Sequence, residues 1–364
     1  MTLRRQLINF SHMSVDYRVG PHALDGLSPL FKGCVGKPVR ALVVASDSDR
    51  SRYGEPVERA LSDAGFSIAW CRLADDEDAA TVACASRIFQ ALGGAGVTAD
   101  DIVIALGGAD VCGAVCWACR SWCGGTQAVL LPTTYDAMVT AACEMVALKT
   151  PEGSGSVSLR PEPSLVVCDL DILDSLSAED KRLGNMLVLL SMFVDSRRKW
   201  DEFGEMIPDL VTGTESTVIQ ALCASQSARK DIVMAPHPAA RAALSFGVTT
   251  ASALRLCLGT DTPWYRLLAE GVRFESRLAV DVADFEVDDL FELDDRLEDL
   301  GIDELPFSLE ANEFVDALRA VRRTRSNRFM LAVPACVGGV RLSSVDDEVL
   351  LRHAQAYLAS RAGL

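Results

Sequence analysis

Apolar residues in the first half of the chain occur in short runs, separated by segments with helical periodicity. The runs have the length of buried strands, and the segments between them repeat at the 3.6-residue period of helices that cover a sheet. This alternation favours an α/β fold with a Rossmann-like, doubly wound parallel sheet. The predicted strands are residues 39–45, 66–71, 102–106, 128–131 and 165–169, and the helices between them include 56–64, 79–92 and an apolar helix after residue 108.

After about residue 173 the pattern changes, and long helical periods dominate. We therefore predict an N-terminal α/β domain of the dinucleotide-binding type over residues 1–176, and a mainly α-helical C-terminal domain over residues 177–364. The predicted helices of the second domain are 178–196, 216–227, 239–258, 269–283, 311–323 and 346–360.

Two strand ends in the first domain carry the pattern of a phosphate site. Gly107 and Gly108 lie between a buried strand and a helix, and Thr133 and Thr134 follow the next strand. Backbone N–H groups at a strand-to-helix turn are well placed to bind phosphate. The full G-x-G-x-x-G pattern is absent, and a Walker loop, a G-x-S-x-G elbow and an H-E-x-x-H pair are also absent. We predict a nucleotide or small phosphorylated ligand at these turns.

Charge and composition narrow the classes of partner. The net charge of −16 opposes binding to nucleic acid and to anionic membranes. The longest apolar run, residues 186–194, is too short to span a bilayer, and the N-terminal residues lack the apolar core of a signal peptide. We expect a cytoplasmic protein, in which the twelve cysteines are free thiols.

The order of several motifs resembles the dehydroquinate synthase family of sugar-phosphate cyclases, to which glycerol-dehydrogenase-like proteins are more distantly similar. The resemblance extends over residues 15–358 and implies that family's two-domain fold and a homodimer. It also implies the family reaction, a lyase step of aromatic amino-acid biosynthesis. In that reaction NAD transiently oxidises a seven-carbon keto-acid phosphate, zinc polarises substrate oxygens and phosphate is lost. The motifs are residues 105–108, 132–134, 168–173, 244–247 and 328–334.

The family's zinc ligands are missing from the matching positions. Its glutamate falls at Met186, or at Asn185 if the register slips by one, and its two histidine ligands fall at Val248 and Trp264. These side chains cannot replace carboxylate and imidazole on a borderline cation, so we do not expect zinc. Other family positions with a changed residue are Ala80, Gly113, Thr140, Val146, Leu189 and Ser252, which replace lysines, aspartates and a further histidine.

A few charged positions match the family. Arg241 precedes the 244–247 motif, Arg322 and Arg323 stand where the family has paired lysines, and Glu77 matches a glutamate of the nucleotide side. The resemblance implies that the arginines contact phosphate or carboxylate, although structural ion pairs explain them equally well. NAD remains an expected cofactor, with Gly107, Gly108, Thr133, Thr134 and Glu77 as its contacts.

Cysteines recur along the predicted helix after Gly108. Cys112, Cys116, Cys119 and Cys123 fall on one helical stripe, and the first three have the spacing of an iron–sulfur motif. Because the family has small residues here and cysteine packs as a small apolar residue, we favour a buried core. Among the four histidines, His237 between two prolines is the best stray candidate for a metal ligand.

The sequence leaves more than one function open. The favoured hypothesis is a degenerate family member that has lost the zinc-dependent cyclase chemistry and keeps a nucleotide or phosphate-ligand pocket. One alternative is an active enzyme with changed chemistry on a phosphorylated sugar acid, which Arg241, Arg322 and Arg323 would serve. A second alternative is dehydroquinate synthase activity with displaced ligands.

Overall fold

Two structural units, Met1–Asp180 and Lys181–Leu364, make up the chain in the computed structural model. The structure describes residues 3–151 and 153–363. Within those ranges, no helix combines the length and the apolar character needed to cross a membrane.

A seven-stranded sheet forms the centre of the N-terminal unit. Its strands are β1 (Arg4–Asn9), β2 (Ser14–Gly20), β3 (Arg40–Ser46), β4 (Ser67–Leu73), β5 (Ile102–Gly107), β6 (Gln127–Pro132) and β9 (Leu165–Asp169), whereas β7 (Val146–Thr150) and β8 (Gly153–Leu159) form a separate hairpin. The order across the sheet is β1-β2-β9-β6-β5-β3-β4. Within the described residues of this sheet, only the β1–β2 pair is antiparallel, and the other pairs are parallel, which confirms the predicted α/β fold.

Helices connect the parallel strands. The side chain of Ser46 caps the second helix by accepting a hydrogen bond from the Asp49 amide at 3.1 Å, and Gly65 ends that helix with a φ of 94°. This helix begins nine residues earlier than the predicted 56–64, because Ser46 and Asp49 supply a start signal ahead of the apolar pattern. The helices of this unit are α1 (Leu27–Gly33), α2 (Asp47–Ala64), α3 (Val82–Ala95), α4 (Ala109–Ser121), α5 (Tyr135–Thr140) and α6 (Asp171–Asp174).

The C-terminal unit is mainly helical. Its core includes an aromatic cluster in which the ring of Phe193 packs against those of Trp200, Phe246 and Phe285. The helices are α7 (Ala178–Asp195), α8 (Arg197–Val211), α9 (Glu215–Val233), α10 (Pro238–Arg241), α11 (Val248–Leu258), α12 (Trp264–Ala283), α13 (Val287–Asp299), α14 (Ala311–Arg323) and α15 (Asp347–Ala362), and β10 (Met330–Pro334) pairs with β11 (Val340–Ser344).

The prediction of one continuous helix over residues 239–258 is wrong. The segment forms the short helix α10, a 3₁₀ turn over Ala242–Ser245, and then α11. Gly247 separates the last two with a φ of 77°, a left-handed conformation that interrupts the helix.

Gly247 also lies in direct backbone contact with α12. A Cβ atom built on Gly271 would lie 2.1 Å from the carbonyl oxygen of Gly247, and one built on Gly247 would lie 2.8 Å from the backbone nitrogen of Val272. Neither position can accept a larger side chain without moving a backbone. The two glycines therefore set the distance between the start of α11 and the middle of α12.

We predict that Gly271→Ala destabilises the protein by about 3 kcal/mol or more, at the upper end of the range for overpacked cores, because its methyl group meets a backbone oxygen. Thermal and urea unfolding would measure the change. Gly94→Ala is the matched control: Gly94 is helical and a Cβ atom there meets nothing within 4 Å, so this variant should be neutral or up to about 1 kcal/mol more stable. Equal stability of the two variants would contradict the steric argument.

Candidate functional site

The glycine and threonine turns predicted from the sequence lie together at the carboxyl edge of the sheet. β5 and β6 are adjacent parallel strands, so Gly107 and Thr133 leave the sheet side by side, and the Thr133 amide donates to the Gly107 carbonyl at 3.0 Å. Gly108 is the N-cap of α4, and a Cβ atom on it would lie 3.5 Å from the Thr134 side chain. The turns thus form one small surface with the N-terminus of α4 beside it, which is a geometry that suits phosphate.

Three aspartates surround this surface. The helices that follow β3, β5 and β6 each carry an aspartate in their first turn: Asp49, Asp110 and Asp136. Burial raises the pKa of all three carboxyls above the ordinary value, and the charge of Asp136 contributes to the raised pKa of Asp110. Lys149 is the cation that opposes this effect at Asp110. A phosphate at these turns would therefore share them with carboxylates, which repel it.

The remaining nucleotide-side positions serve structural contacts. Glu77 lies in the loop after β4, where its carboxylate pairs with Arg87 and accepts from the Ala74 amide at 3.3 Å. Ala80 is buried, and Val146 lies 3.5 Å from the position of a Cβ atom on Gly113. The structure places the two glycines and the two threonines together, and it gives Glu77 a role in an ion pair.

The cysteine stripe is a packing feature over three of its four positions. Cys112, Cys116 and Cys119 are buried on α4, as predicted, and burial raises the pKa of each thiol, to about 12 for Cys116. Cys123 is exposed and lies beyond the end of α4 in a 3₁₀ turn, with a φ of 52°, so its assignment to the same helical stripe is wrong. Protonated, buried thiols are poor ligands for a cluster.

The three residues that the sequence predicts at the family's zinc-ligand positions lie on helices of the C-terminal unit. Met186 is 0% exposed on α7, and Val248 and Trp264 are the first residues of α11 and α12. The guanidinium carbon of Arg255 lies 5.3 Å from the centre of the Trp264 ring, and the Ser252 hydroxyl donates to the Val248 carbonyl at 2.8 Å. These residues do not fit a zinc ion, because a thioether, an isopropyl group and an indole offer no suitable donor set.

Other metal ligands are not gathered elsewhere in the described ranges. No group of three or more His, Cys, Asp or Glu side chains there has an arrangement that could hold a metal ion. His237 is an exposed residue in the bend before α10.

The three retained arginines have different surroundings. Arg241 donates to the Ala235 carbonyl at 2.8 Å, so part of its guanidinium is used to hold the local backbone. Arg323 is exposed at the end of α14. Arg322 is half-buried beside it, and within the described residues its Nε atom is buried without a hydrogen-bond partner. Burial lowers the pKa of Arg322.

One buried carboxylate on α12 was not predicted from the sequence, and the charge of Arg322 acts on it. Glu275 on α12 is 0% exposed and accepts three hydrogen bonds from the start of α11: from the Gly247 amide at 2.7 Å, the Thr250 hydroxyl at 2.7 Å and the Thr250 amide at 3.4 Å. Burial raises the pKa of Glu275 to about 7, and these hydrogen bonds and the Arg322 charge oppose the rise. The sequence shows a glutamate on the apolar face of a predicted helix. It does not show the hydrogen-bond partners of that glutamate, because Thr250 and Gly247 lie 25 and 28 residues earlier in the chain.

Sequence comparisons find similarity between this chain and 3-dehydroquinate synthases. The family description "3-dehydroquinate synthase N-terminal" matches residues 70–182. A 3-dehydroquinate synthase of Nostoc punctiforme is 24% identical over 362 residues, covering 94% of this chain and 95% of that protein. The 3-dehydroquinate synthase of Pelotomaculum thermopropionicum is 28% identical over 251 residues, covering 68% of this chain and 67% of that protein.

Solved structures share the fold at lower identity. A 2-deoxy-scyllo-inosose synthase complexed with carbaglucose-6-phosphate, NAD+ and Co2+ superposes with a TM-score of 0.82 at 14% identity, covering 97% of this chain and 100% of that chain. ValA, the 2-epi-5-epi-valiolone synthase of Streptomyces hygroscopicus with NAD+ and Zn2+ bound, gives 0.79 at 17% identity, covering 98% of this chain and 99% of that chain.

We predict that Met186→Glu, which restores the ligand type of the family, destabilises the protein by about 3 kcal/mol or more, because it places a carboxylate at a fully buried position. Melting temperature with and without zinc would measure this, and zinc should not recover the loss. Met186→Leu, which conserves volume, should cost less than about 1.5 kcal/mol. A zinc-dependent recovery of Met186→Glu would show that a metal pocket persists.

Proposed function

We propose that this chain is a member of the dehydroquinate synthase-like superfamily that has lost the zinc-dependent, phosphate-eliminating cyclase chemistry while keeping a nucleotide-binding surface. The observation that carries this proposal is the replacement of all three ligand positions by Met186, Val248 and Trp264. The three replacements lie on three separate helices, α7, α11 and α12.

Loss of the metal removes the chemistry for a physical reason. A Lewis acid stabilises charge that develops on substrate oxygens, which neutral apolar side chains cannot do. Met186 offers only a fully buried thioether sulfur, and Trp264 offers an indole ring in contact with Arg255, so neither supplies the carboxylate oxygen or imidazole nitrogen that zinc would need. The side chains that remain near these positions stabilise the fold instead.

The turns of the N-terminal unit support a retained nucleotide site. Gly107, Gly108, Thr133 and Thr134 would hold the diphosphate of NAD through backbone amides at the start of α4, and NAD would supply hydride-transfer capacity when bound. The acidic side chains around these turns weaken attraction for the diphosphate, so we expect NAD affinity to be modest. A nucleotide or small phosphorylated acid is the proposed ligand, and a homodimer is the proposed assembly, as the superfamily resemblance implies.

Changed enzymatic chemistry on a phosphorylated sugar acid is the second candidate. Arg322 favours it, because this cation lies at a family lysine position and its Nε atom has no hydrogen-bond partner among the described residues. Arg241 favours it less, because its guanidinium already holds a carbonyl of the chain.

Phosphate release from the family's seven-carbon keto-acid phosphate, in the presence of NAD and zinc, tests the main proposal. We expect release at the rate of the blank, since no metal can be held at the family position. The Nostoc punctiforme relative, assayed in parallel, is the positive control. Release well above the blank, reproduced with independently purified protein, would overturn the proposal and favour displaced ligands.

We predict that Asp110→Asn raises the affinity for NAD by up to about fivefold, because it removes a carboxylate whose repulsion of an anion about 4 Å away amounts to about 1 kcal/mol in water. Isothermal titration calorimetry would measure the change. Asp100→Asn is the matched control, since it removes the same charge just before β5, at the other end of that strand, and should leave NAD affinity unchanged. An equal rise in both variants would indicate a net-charge effect, and no rise in either would contradict a diphosphate at α4.

A further inference from the structure

Most of the net negative charge of the chain is carried by α13 and the residues beside it. Residues 281–304 contain twelve aspartates and glutamates and one arginine, a net charge of −11, while the whole chain has −16. Arginines of the C-terminal unit pair with some of these carboxylates, namely Asp289, Glu292, Asp294 and Glu304. Asp288, Asp295 and Glu298 are exposed, and none of the three has an ion pair within the part of the chain that the structure describes.

Two apolar side chains are exposed among these carboxylates. Phe291 is 60% exposed and Val287 is 45% exposed, and they lie one helical turn apart on α13. Leu293, two residues after Phe291, is fully buried, and because successive residues of a helix are rotated by about 100°, Phe291 lies on nearly the opposite side. We call the exposed side of the helix, formed by Val287, Asp288, Phe291, Asp295 and Glu298, the α13 outer face.

The carboxylates of this face do not all stabilise the helix that carries them. Asp288 lies in the first turn, where the helix dipole favours a negative charge, but Glu298 lies in the last turn, where the dipole opposes it. Asp295 lies three residues before Glu298 and four before Asp299, spacings at which like charges repel on a helix. Positive charge brought to this face would relieve the repulsion.

The buried side of α13 holds the outer face in a fixed position. The helix packs against α8 and α12. Arg197 at the start of α8 pairs with Asp289 at 2.6 Å, and the guanidinium carbon of Arg296 lies 3.9 Å from the centre of the Trp200 ring. A partner of the outer face would therefore meet a helix that is already ordered, which lowers the entropic cost of binding.

We propose that the α13 outer face is a docking surface for a positively charged, amphipathic helical segment of a partner protein. Such a segment would place apolar side chains on Phe291 and Val287, and lysines or arginines beside Asp288, Asp295 and Glu298. The charge of the face selects this chemistry, since it repels nucleic acid and anionic membranes. A second copy of the chain would bring the same negative charge to a two-fold symmetric contact of this face and would be repelled as well.

A synthetic peptide of lysine and leucine, about four helical turns long with the leucines on one side, is the probe that tests the proposal. A scrambled peptide of the same composition is its control. By fluorescence anisotropy at low ionic strength, we expect the amphipathic peptide to bind at least about tenfold more tightly than the scrambled one, because only the former can present leucines and lysines together. Charge attraction alone would hold both peptides equally.

Replacing the exposed ring separates the outer face from the rest of the surface. Phe291→Ser should weaken binding of the amphipathic peptide about tenfold, since a central aromatic side chain contributes strongly to an interface, and it should not lower Tm. Leu256→Ser is the matched control, because Leu256 is 65% exposed on α11, outside the proposed surface. This control should bind the peptide as the wild type does.

Replacing the carboxylates tests the role of charge. Asp288→Asn combined with Asp295→Asn should weaken binding about fivefold and reduce its dependence on salt. Asp63→Asn combined with Asp100→Asn removes the same net charge from exposed positions of the N-terminal unit, and it should leave the affinity unchanged.

Three outcomes would overturn the inference. The first is equal affinity for the amphipathic and scrambled peptides, and the second is equal weakening by the two pairs of Asp→Asn substitutions. The third is sedimentation of the protein alone as a larger species that Phe291→Ser dissociates, because a second copy would then occupy the face. The peptide assays need neither NAD nor the keto-acid phosphate, so their failure is distinguishable from failure of the proposed function.

Discussion

Backbone contact between Gly247 and Gly271 is the constraint on which the C-terminal unit depends. It brings the start of α11 within hydrogen-bonding distance of a carboxylate on α12, and it interrupts what would otherwise be a long helix. Here the same two helices are held by a carboxylate, three hydrogen bonds and a steric fit that admits only glycine.

Buried charged side chains in the C-terminal unit include one, Glu270, that has several oppositely charged or hydrogen-bonding partners. Glu270, one turn before Glu275, is also 0% exposed, and its carboxylate accepts from Arg273 at 3.0 Å, Arg361 at 2.8 Å and Tyr357 at 2.5 Å. Removal of one partner of such a network leaves an uncompensated buried charge, which is costly. Glu275 has hydrogen-bond donors but no salt bridge within 4 Å among the described contacts, and burial raises its pKa to about 7. Between the ordinary glutamate pKa and 7 the folded protein holds more protons here than the unfolded chain, and the contribution of this group to stability falls as pH rises.

The sequence predicted the architecture of the sheet better than the details of the helical unit. Runs such as 102–106 and 128–131 are apolar at every position and identify buried parallel strands without further information. Helix α8 was not predicted, because charged residues surround the narrow apolar face on which Trp200, Phe203, Ile207 and Leu210 are buried. The break at Gly247 could not be distinguished from a tolerated helical glycine, since its left-handed φ depends on a contact with α12. The proximity of Gly107 to Thr133 could be predicted, because β5 and β6 are neighbouring parallel strands. The hydrogen bonds of Glu275 could not be predicted, because they depend on how α11 packs against α12.

The two outer strands of the sheet carry arginines on exposed positions. Arg4 and Arg5 lie on β1, and Arg72 lies on β4. An edge strand offers unpaired backbone groups to any other strand it meets, and charged side chains on that edge oppose such pairing. Edge-to-edge association of two copies, through like strands, would place cations opposite cations. Charged side chains at the two edges thus oppose open-ended pairing between copies, independently of whatever the carboxyl edge of the sheet binds.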